Sequence, residues 1–303
     1  MKSIVTRLAI VSALLLLAIN WNEANAQWVK KPTQEQFEQY PGLVHETFES
    51  PAMKTTVSYS VVLPPSYKEG SKRYPVVYWL HGGHKNESAD LFTSKTWQTL
   101  FKENKIQEVI LVYPNGFTSG YMDHADGKVM VETMIIRELI PRIDERFRSI
   151  ASREGRAAHG SSMGASGSLK FAIKYPEMFC SAVAYGGGAT DLENTKDKYV
   201  LGILEKNLQS KPELVRQNNT YHFLKKNADT LRNKGTKIVL VTGDKDRWME
   251  SARTFQAALR AEDIPCRLVP VPGAGHDLPK TFGAQGEASA IFQDEMFKKL
   301  SQQ

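Results

Sequence analysis

The stretch Arg156-Ala-Ala-His-Gly-Ser-Ser-Met-Gly-Ala-Ser-Gly-Ser-Leu-Lys-Phe-Ala-Ile-Lys-Tyr-Pro176 decides the fold of this chain. Its first residues form a short apolar run that is typical of the end of a buried strand. Residues 160–164 then make a G-x-S-x-G turn. After this turn, apolar residues recur at the spacing of a helix, at Ala165, Leu169, Ala172 and Ile173. Pro176 marks the end of the helix, because proline disfavours helical geometry in the residue before it.

The turn makes Ser162 a candidate nucleophile, because a sharp strand-to-helix turn pushes its central residue out of the sheet. Gly160 and Gly164 flank it, and side chains at these two positions would clash with neighbouring backbone. The helix that begins at Ser162 directs the positive end of its dipole at whatever the hydroxyl attacks. A glycine-rich turn with an incidental serine is the alternative, and the motif in isolation does not separate the two.

Strand and helix patterns alternate through the rest of the chain. Apolar runs predict strands over residues 57–63, 76–80, 109–113, 182–185, 237–241 and 267–271. Helical patterns cover residues 96–105, 129–147, 249–261 and 291–300, with an expected kink at Pro141. This alternation predicts an α/β fold with a mostly parallel central sheet and helices on both faces.

The length of 303 residues is enough for one large α/β domain, and we expect residues 27–303 to form a single catalytic domain. Residues 27–50 are polar and are expected to be a lead-in segment. Residues 189–236 are also polar, with scattered apolar positions and no strong strand pattern. They predict a mostly helical insertion over the functional site.

Residues 1–26 have the pattern of a secretory signal peptide. Lys2 and Arg7 form a basic start, residues 8–19 are an apolar run, and residues 24–26 are a small-x-small cleavage site. An uncleaved membrane anchor is the alternative, but the apolar run is short for a span of about 20 residues. We therefore expect a secreted or periplasmic protein that begins at Gln27 and has no membrane attachment after cleavage.

Charge and histidine spacing bear on partners. The net charge of +6 is mild and no basic block is interleaved with aromatic residues, so a nucleic-acid partner is not expected. His81 and His84 have a spacing that could suit a metal, but no carboxylate-rich motif accompanies them. We therefore expect no metal.

Cys180 and Cys266 are the two cysteines of the chain. Export would permit a disulfide between them. Each is predicted to begin a strand, with one further strand between the two. Two strand spacings amount to about 9.6 Å, which exceeds the Cα separation of about 7 Å that a disulfide can bridge. We therefore expect two free thiols.

Three chemistry-bearing side chains follow three predicted strands, at Ser162, Asp246 and His276. Ligands bind at the carboxyl ends of the strands in such sheets, and Ser…Asp…His is the chain order of an α/β-hydrolase triad. A serine hydroxyl is a weak nucleophile at neutral pH and needs a base within hydrogen-bond reach. His276 is the expected base, and Asp246 is the acid expected to orient it. Asp244 competes with Asp246 for this role.

Further candidates lie near the same edge of the sheet. An oxyanion hole needs fixed backbone N–H groups, and the candidates are Gly83, after an early strand, and Met163, after Ser162. Candidate substrate-binding residues are His81, Tyr121 and Trp248, together with Asp123 and His124. Surface or packing roles are the alternative for Tyr121, Asp123, His124 and Trp248, whereas His81 is expected instead to order the loop of Gly83. His159 is expected to be a hydrogen-bonded core histidine.

Six motifs in order resemble the esterase D-like family of α/β-hydrolases. They are Leu80-His-Gly-Gly83, Tyr113-Pro-Asn-Gly116, Glu138-Leu-Ile-Pro-Arg-Ile-Asp144, Gly160-Ser-Ser-Met-Gly164, Tyr175-Pro-Glu-Met-Phe179 and Gly243-Asp-Lys-Asp246. The resemblance covers roughly residues 55–300, and six matches in order are far more specific than any one alone. The family includes secreted feruloyl and acetyl-xylan esterases, S-formylglutathione hydrolases and mycolyltransferases.

The resemblance implies the α/β-hydrolase fold, ester hydrolysis and no cofactor. It implies the same triad and the same oxyanion residues that the strand ends suggest. The family often has Leu before the nucleophile and a second Gly after the motif, whereas this chain has Ser161 and Ala165. This departure bears on substrate preference.

Together these patterns predict a secreted serine esterase that acts on an acyl or feruloyl ester linked to a plant-type polysaccharide. Export argues against the glutathione thioester branch of the family, whose substrate is cytosolic. An acyltransferase that uses the same triad, with a sugar rather than water as acceptor, is one alternative. A catalytically silent carbohydrate-binding relative is the other, and the intact triad argues against it.

Overall fold

The computed structural model describes residues 27–302, so the predicted signal peptide lies outside the described residues. The strands are β1 Leu43–Ser50, β2 Thr55–Val62, β3 Val76–Leu80, β4 Ile110–Pro114, β5 Arg156–Ser161, β6 Ser181–Tyr185, β7 Lys237–Gly243 and β8 Cys266–Val271. They form one sheet in the order β1-β2-β4-β3-β5-β6-β7-β8. Strands from β4 to β8 along this order pair in parallel, whereas β1 and β2 are antiparallel to their neighbours. The mostly parallel sheet is confirmed.

Helices connect the strands and cover the sheet. They are α1 Gln34–Gln39, α2 Ser94–Lys102, α3 Val131–Thr133, α4 Ile140–Arg146, α5 Met163–Lys174, α6 Lys198–Leu208, α7 Pro212–Asn218, α8 Thr220–Lys226, α9 Ala228–Asn233, α10 Met249–Ala261 and α11 Leu278–Leu300. Within residues 27–302, none of them combines the length and the apolar character needed to cross a membrane.

The central strand β3 is buried on both faces, which explains its continuous apolar run. Val76, Tyr78 and Leu80 belong to one core cluster, which also includes side chains of α3, α4, α5 and α10. Val77 and Trp79 point to the other face and join a second cluster with side chains of α2 and α11. The period of two along β3 therefore separates two cores, and helices on both faces are confirmed.

The N-terminal segment differs from the sequence-based expectation of a simple lead-in, because it contains α1 and β1. β1 pairs antiparallel with β2 over its whole length and forms the edge of the sheet. Its sequence, Leu-Val-His-Glu-Thr-Phe-Glu-Ser, is polar, and its last residue, Ser50, is the one that is fully buried. An edge strand with a solvated face gives only a weak hydrophobic signal, which is why this strand was missed.

The helix predicted over residues 129–147 is interrupted by a π-helical segment, Met134–Leu139, between α3 and α4. The Ile140 N–H donates to the Ile135 carbonyl five residues back. Pro141 follows immediately and has no N–H of its own to donate. At the site of the kink expected from Pro141, the helix forms wider, π-helical turns on the N-terminal side of the proline.

The last helix, α11, begins 13 residues earlier than the sequence analysis placed it. Asp277 caps its N-terminus by accepting a hydrogen bond from the Lys280 N–H at 3.0 Å. Two glycines in the first half hid the helical pattern, because glycine has a low helix propensity. At Gly286, an added Cβ would lie 2.7 Å from the ring of Phe282, so close packing explains the residue.

The prediction that Cys180 and Cys266 are free thiols can be tested directly. Cys180 precedes β6 and Cys266 begins β8, with β7 between them, and both are free thiols in the structure. Burial raises the pKa of both thiols, that of Cys266 to about 12, so the native protein should react slowly with a thiol reagent. A denatured, unreduced sample should consume two equivalents of the reagent. Consumption of none would contradict this prediction.

Candidate active site

The candidate nucleophile lies on a strained turn between β5 and α5. Ser162 has φ +53° and ψ −114°, a backbone conformation that residues other than glycine rarely adopt. A Cβ added to Gly160 would lie 2.3 Å from the Gly164 carbonyl oxygen, and one added to Gly164 would lie 1.9 Å from the Leu80 carbonyl oxygen. Close backbone approach therefore requires both glycines, and the turn holds Ser162 at the carboxyl end of β5.

A relay of two hydrogen bonds connects Ser162 to a buried carboxylate. The Ser162 Oγ lies 2.8 Å from His276 Nε2, and His276 Nδ1 lies 2.8 Å from Asp246 Oδ2. The Asp246 side chain is 0% exposed and that of His276 is 40% exposed. A carboxylate only accepts hydrogen bonds, so Nδ1 carries the proton and Nε2 is free to accept one from the serine hydroxyl. The arrangement can therefore activate Ser162 as a nucleophile.

The loops that carry the acid and the base pack against each other. An added Cβ at Gly243 would lie 2.2 Å from the Ala274 carbonyl oxygen, so only glycine permits this approach. Asp244 Oδ1 accepts a hydrogen bond from the Gly273 N–H at 2.8 Å, which ties the two loops together. The structure thus places Asp246 beside His276 and gives Asp244 a contact within the loops.

Two backbone N–H groups are available beside Ser162. The Ser162 N–H itself donates to the Tyr185 carbonyl at 2.7 Å. Within residues 27–302, neither the Gly83 nor the Met163 N–H donates to another protein group, and both residues line the same cavity as Ser162. They are positioned to serve as oxyanion donors.

His81 and Tyr121, two of the candidate substrate-binding residues, are buried beneath the site and do not line its cavity. His81 Nε2 accepts from the Gly116 N–H at 2.9 Å, so Nδ1 is the donor to the Gly82 carbonyl, at 2.7 Å. The Tyr121 hydroxyl donates to the His81 carbonyl at 3.1 Å. Burial lowers the pKa of His81. Both residues lie under the loop that presents Gly83, the position expected for His81, and neither reaches the cavity wall.

The other residues singled out in the sequence have different roles. His84 and Trp248 line the cavity. The Asp123 carboxylate accepts from the Thr133 N–H at 3.0 Å and His124 Nε2 contacts the Ser119 carbonyl at 3.1 Å, so both hold local structure. His159 Nε2 contacts Gln293 Oε1 at 3.1 Å, and burial lowers its pKa to about 4, as befits a core histidine. No group of three or more potential metal ligands occurs among the described residues.

A cavity of about 700 Å³ opens above Ser162. Segment 189–236 contains helices α6 to α9, and α6 contributes much of the cavity wall. Its apolar lining includes Met122, Met163, Leu192, Val200, Ile203 and Leu204. Its polar lining includes Thr118, Ser166, Asn207 and Thr220. This size and mixture are typical of a small-molecule site.

A buried lysine, which the sequence analysis did not single out, joins the nucleophile helix to the segment above it. Lys170 Nζ, on α5, contacts Glu132 Oε2 at 2.7 Å, the Tyr121 carbonyl at 2.6 Å and Asn218 Oδ1, on α7, at 3.0 Å. Burial raises the pKa of Glu132, but Lys170 and Lys174 outweigh it and lower the pKa to about 2. In the sequence, Lys170 is a charged residue inside the apolar run Leu-Lys-Phe-Ala, and this pattern could have indicated a buried ion pair.

An aromatic and cationic cluster forms one wall of the cavity mouth, and only Trp248 of its members was predicted. The rings of Tyr199, on α6, and Trp248 have centroids 6.3 Å apart. The Arg247 guanidinium carbon lies 5.0 Å from the ring centroid of Tyr199 and 4.4 Å from that of Trp248. Cation–π contacts thus connect the loop after β7 to α6.

Ser161, which stands where the family often has Leu, hydrogen-bonds to the buried carboxylate of Asp90. Its Oγ donates to Asp90 Oδ2 at 3.0 Å, and the Trp79 indole N–H donates to the same oxygen at 3.1 Å. Asp90 is buried, and these two hydrogen bonds, together with its ion pair with Lys85 at 3.0 Å, satisfy a carboxylate that would otherwise be costly beneath the turn.

Comparison with known proteins gives a consistent set of relatives. A family model described as "Putative esterase" matches residues 50–300. Esterase Rv1288 of Mycobacterium tuberculosis is 27% identical over 275 residues, which cover 85% of this chain and 58% of that protein. An endo-1,4-beta-xylanase/feruloyl esterase of Xylanibacter ruminicola is 32% identical over 161 residues, covering 50% of this chain and 22% of that protein. The chain thus spans 58% or less of these relatives' lengths.

Solved structures share the fold. A ferulic acid esterase superposes with a TM-score of 0.71 at 24% identity, covering 84% of this chain and 98% of the other. An S-formylglutathione hydrolase from Agrobacterium tumefaciens superposes with a TM-score of 0.71 at 18% identity, covering 84% of this chain and 95% of the other. At this level of identity, the likeness concerns the α/β-hydrolase fold.

Proposed function

The chain belongs to the esterase family whose model it matches, and on this premise we propose that it is an exported serine esterase acting through Ser162, His276 and Asp246. Residues 27–303 act as its single catalytic domain, and the signal peptide directs it out of the cytoplasm. The observation that carries the proposal is the relay of two 2.8 Å contacts from the Ser162 hydroxyl to a fully buried carboxylate.

The first half-reaction forms an acyl-enzyme. Ser162 Oγ attacks the ester carbonyl carbon while its proton passes to His276 Nε2. Asp246 stabilises the imidazolium that results. When the tetrahedral intermediate collapses, the carbon–oxygen bond to the alcohol breaks and His276 returns the proton to the leaving oxygen. Water then attacks the acyl-enzyme by the same route and releases the acid.

Negative charge on the carbonyl oxygen needs stabilisation during both half-reactions. The N–H groups of Gly83 and Met163 supply it, because they are free to donate and lie beside Ser162 in the cavity wall. His81 and Tyr121 act indirectly, by holding the loop that carries Gly83. Removal of one oxyanion donor typically costs about 2.7–4 kcal/mol in the activation barrier.

We infer that the substrate is an acyl or feruloyl ester linked to a polysaccharide. The apolar wall of the cavity suits an aromatic or aliphatic acyl group, and the exposed Tyr199 ring, beside the half-buried Trp248 ring, suits contact with a sugar face. The names of the xylanase/feruloyl esterase relative and of the ferulic acid esterase neighbour agree with this choice.

A substrate panel tests the proposal. The purified protein should be labelled by a fluorophosphonate probe, and it should hydrolyse members of a panel of acetyl, butyryl and feruloyl esters. Free acid should be the product both with and without added carbohydrate. Acyl transfer to the carbohydrate would identify an acyltransferase instead. Binding of carbohydrate without labelling or turnover would identify a silent carbohydrate-binding relative.

A further inference from the structure

The charged side chains that line the cavity are all cationic. They are Lys170, Lys198, Lys206 and Arg247, and no Asp or Glu among the described residues lines it. The whole chain has 39 Lys and Arg against 33 Asp and Glu, so this bias is a property of the cavity rather than of the composition.

Three of these cations are unneutralised. Lys170 is buried and shares the Glu132 carboxylate with Lys174, so its charge is partly neutralised. Lys198, Lys206 and Arg247 are exposed and form no ion pair within residues 27–302. Asp197, the acidic neighbour of Lys198, directs its carboxylate at the first N–H groups of α6. The cavity mouth therefore carries a positive potential that a bound anion could neutralise.

Arg247 is oriented without being neutralised. Its guanidinium lies against the rings of Tyr199 and Trp248, and a π-face restrains a cation without removing its charge. Guanidinium N–H groups remain free to bind a carboxylate in the bidentate manner for which arginine is suited.

The position of Arg247 indicates which part of the ester, the alcohol or the acyl group, its positive charge faces. Arg247 follows Asp246 directly, and Trp248 follows Arg247; Asp246 is the residue that contacts His276. The base returns its proton to the leaving alcohol, so the alcohol must lie on the His276 side of the scissile bond. A group bound by Arg247 therefore belongs to the alcohol rather than to the acyl chain.

We propose that the esterase prefers substrates whose alcohol part carries a carboxylate, as an acidic sugar of the uronic acid type does, and that Arg247 binds this carboxylate within the positive potential to which Lys198 and Lys206 contribute. The inference rests on the proposed function, since it names the substrate class of the same site. It adds a selectivity that neither the triad nor the fold requires.

A matched pair of sugar esters tests this preference. Methyl glucuronoside, with a carboxylate at C6, and methyl glucoside, with a hydroxymethyl group there, are each acylated at C3 with the acyl group that the panel prefers. At low salt, kcat/KM for the acidic ester should exceed that for the neutral ester about tenfold. The ratio should approach one in about 1 M salt, where the Debye length is about 3 Å.

Charge-removal variants locate the effect. The triple variant K198Q/K206Q/R247Q should bring the ratio at low salt close to one. The triple variant K211Q/K225Q/R253Q removes the same number of Lys and Arg charges from exposed positions that do not line the cavity. It should keep the ratio of the unmodified protein, and loss of the ratio there would overturn the assignment.

The outcomes separate this inference from the proposed function. Equal hydrolysis of both sugar esters at low salt would overturn the inference and leave the esterase intact. A preference for succinyl over butyryl esters of methyl glucoside, without a preference for the glucuronoside, would place the anion on the acyl side and contradict it. Failure to hydrolyse any ester, with no fluorophosphonate labelling, would instead remove the proposed function.

Discussion

Replacing Ser162 with alanine should lower turnover of a generic aryl ester by about 10⁶-fold, the scale of loss seen when a triad nucleophile is removed. The variant lacks the oxygen that forms the acyl-enzyme, and His276 then has no hydroxyl to deprotonate. Residual hydrolysis would come from water held near the oxyanion donors. The measurement is kcat with saturating ester, together with labelling by a fluorophosphonate probe, which should disappear.

The Ser162→Ala variant should fold normally, because the hydroxyl contacts only His276 and the backbone geometry of the turn is unchanged. Ser168→Ala is a matched control on α5, the helix that follows Ser162. Its hydroxyl donates to the Ala165 carbonyl at 2.9 Å and it does not line the cavity, so activity should stay within a fewfold of the unmodified protein. More than a few per cent activity in Ser162→Ala, at unchanged circular dichroism, would exclude this serine as the nucleophile.

The sheet and the position of the candidate site could be predicted from the sequence because both depend on short-range patterns. A strand buried on both faces, such as β3, reads as a continuous apolar run. The carboxyl ends of parallel strands meet at one edge, so side chains that follow them come together. This topological rule brings Ser162, Asp246 and His276 together although 114 residues separate the first from the last.

Features that depend on packing between distant segments were not predictable. His81 and Tyr121 follow the right strands, yet both are buried. Backbone groups of Gly82 and Gly116 hold the His81 ring, and the Tyr121 hydroxyl donates to the His81 carbonyl. The contact between Arg247 and Tyr199 joins two segments whose approach no local pattern encodes.

Edge strand β1 was missed for a different reason, because its solvated face carries polar residues and leaves no clear alternation. Its pairing with β2 supplies order that its own composition does not suggest. The errors thus lie where tertiary contacts, rather than periodicity, determine structure.

The second large effect should be seen when the two aspartates after β7 are compared. Asp246→Asn should lower turnover by on the order of 10⁴, the scale expected when the acid of a triad loses its charge. Asp244→Asn should change turnover little and cost about 1 kcal/mol of stability at most. Both substitutions remove one charge from the same loop and keep the size of the side chain, so each serves as the control for the other.

Hydrogen-bond geometry explains why asparagine should fail at one position and succeed at the other. Asp246 Oδ1 accepts from the Trp248 N–H at 2.9 Å, so an asparagine there must keep its oxygen on that side and turn its NH₂ group towards His276. The NH₂ group donates, which makes Nδ1 an acceptor and leaves the proton on Nε2, where it cannot accept from Ser162. At Asp244, an amide oxygen can still accept from the Gly273 N–H. Measuring kcat and melting temperature for both variants decides the matter, and a severe loss of turnover in Asp244→Asn with near-normal activity in Asp246→Asn would transfer the role of the acid to Asp244.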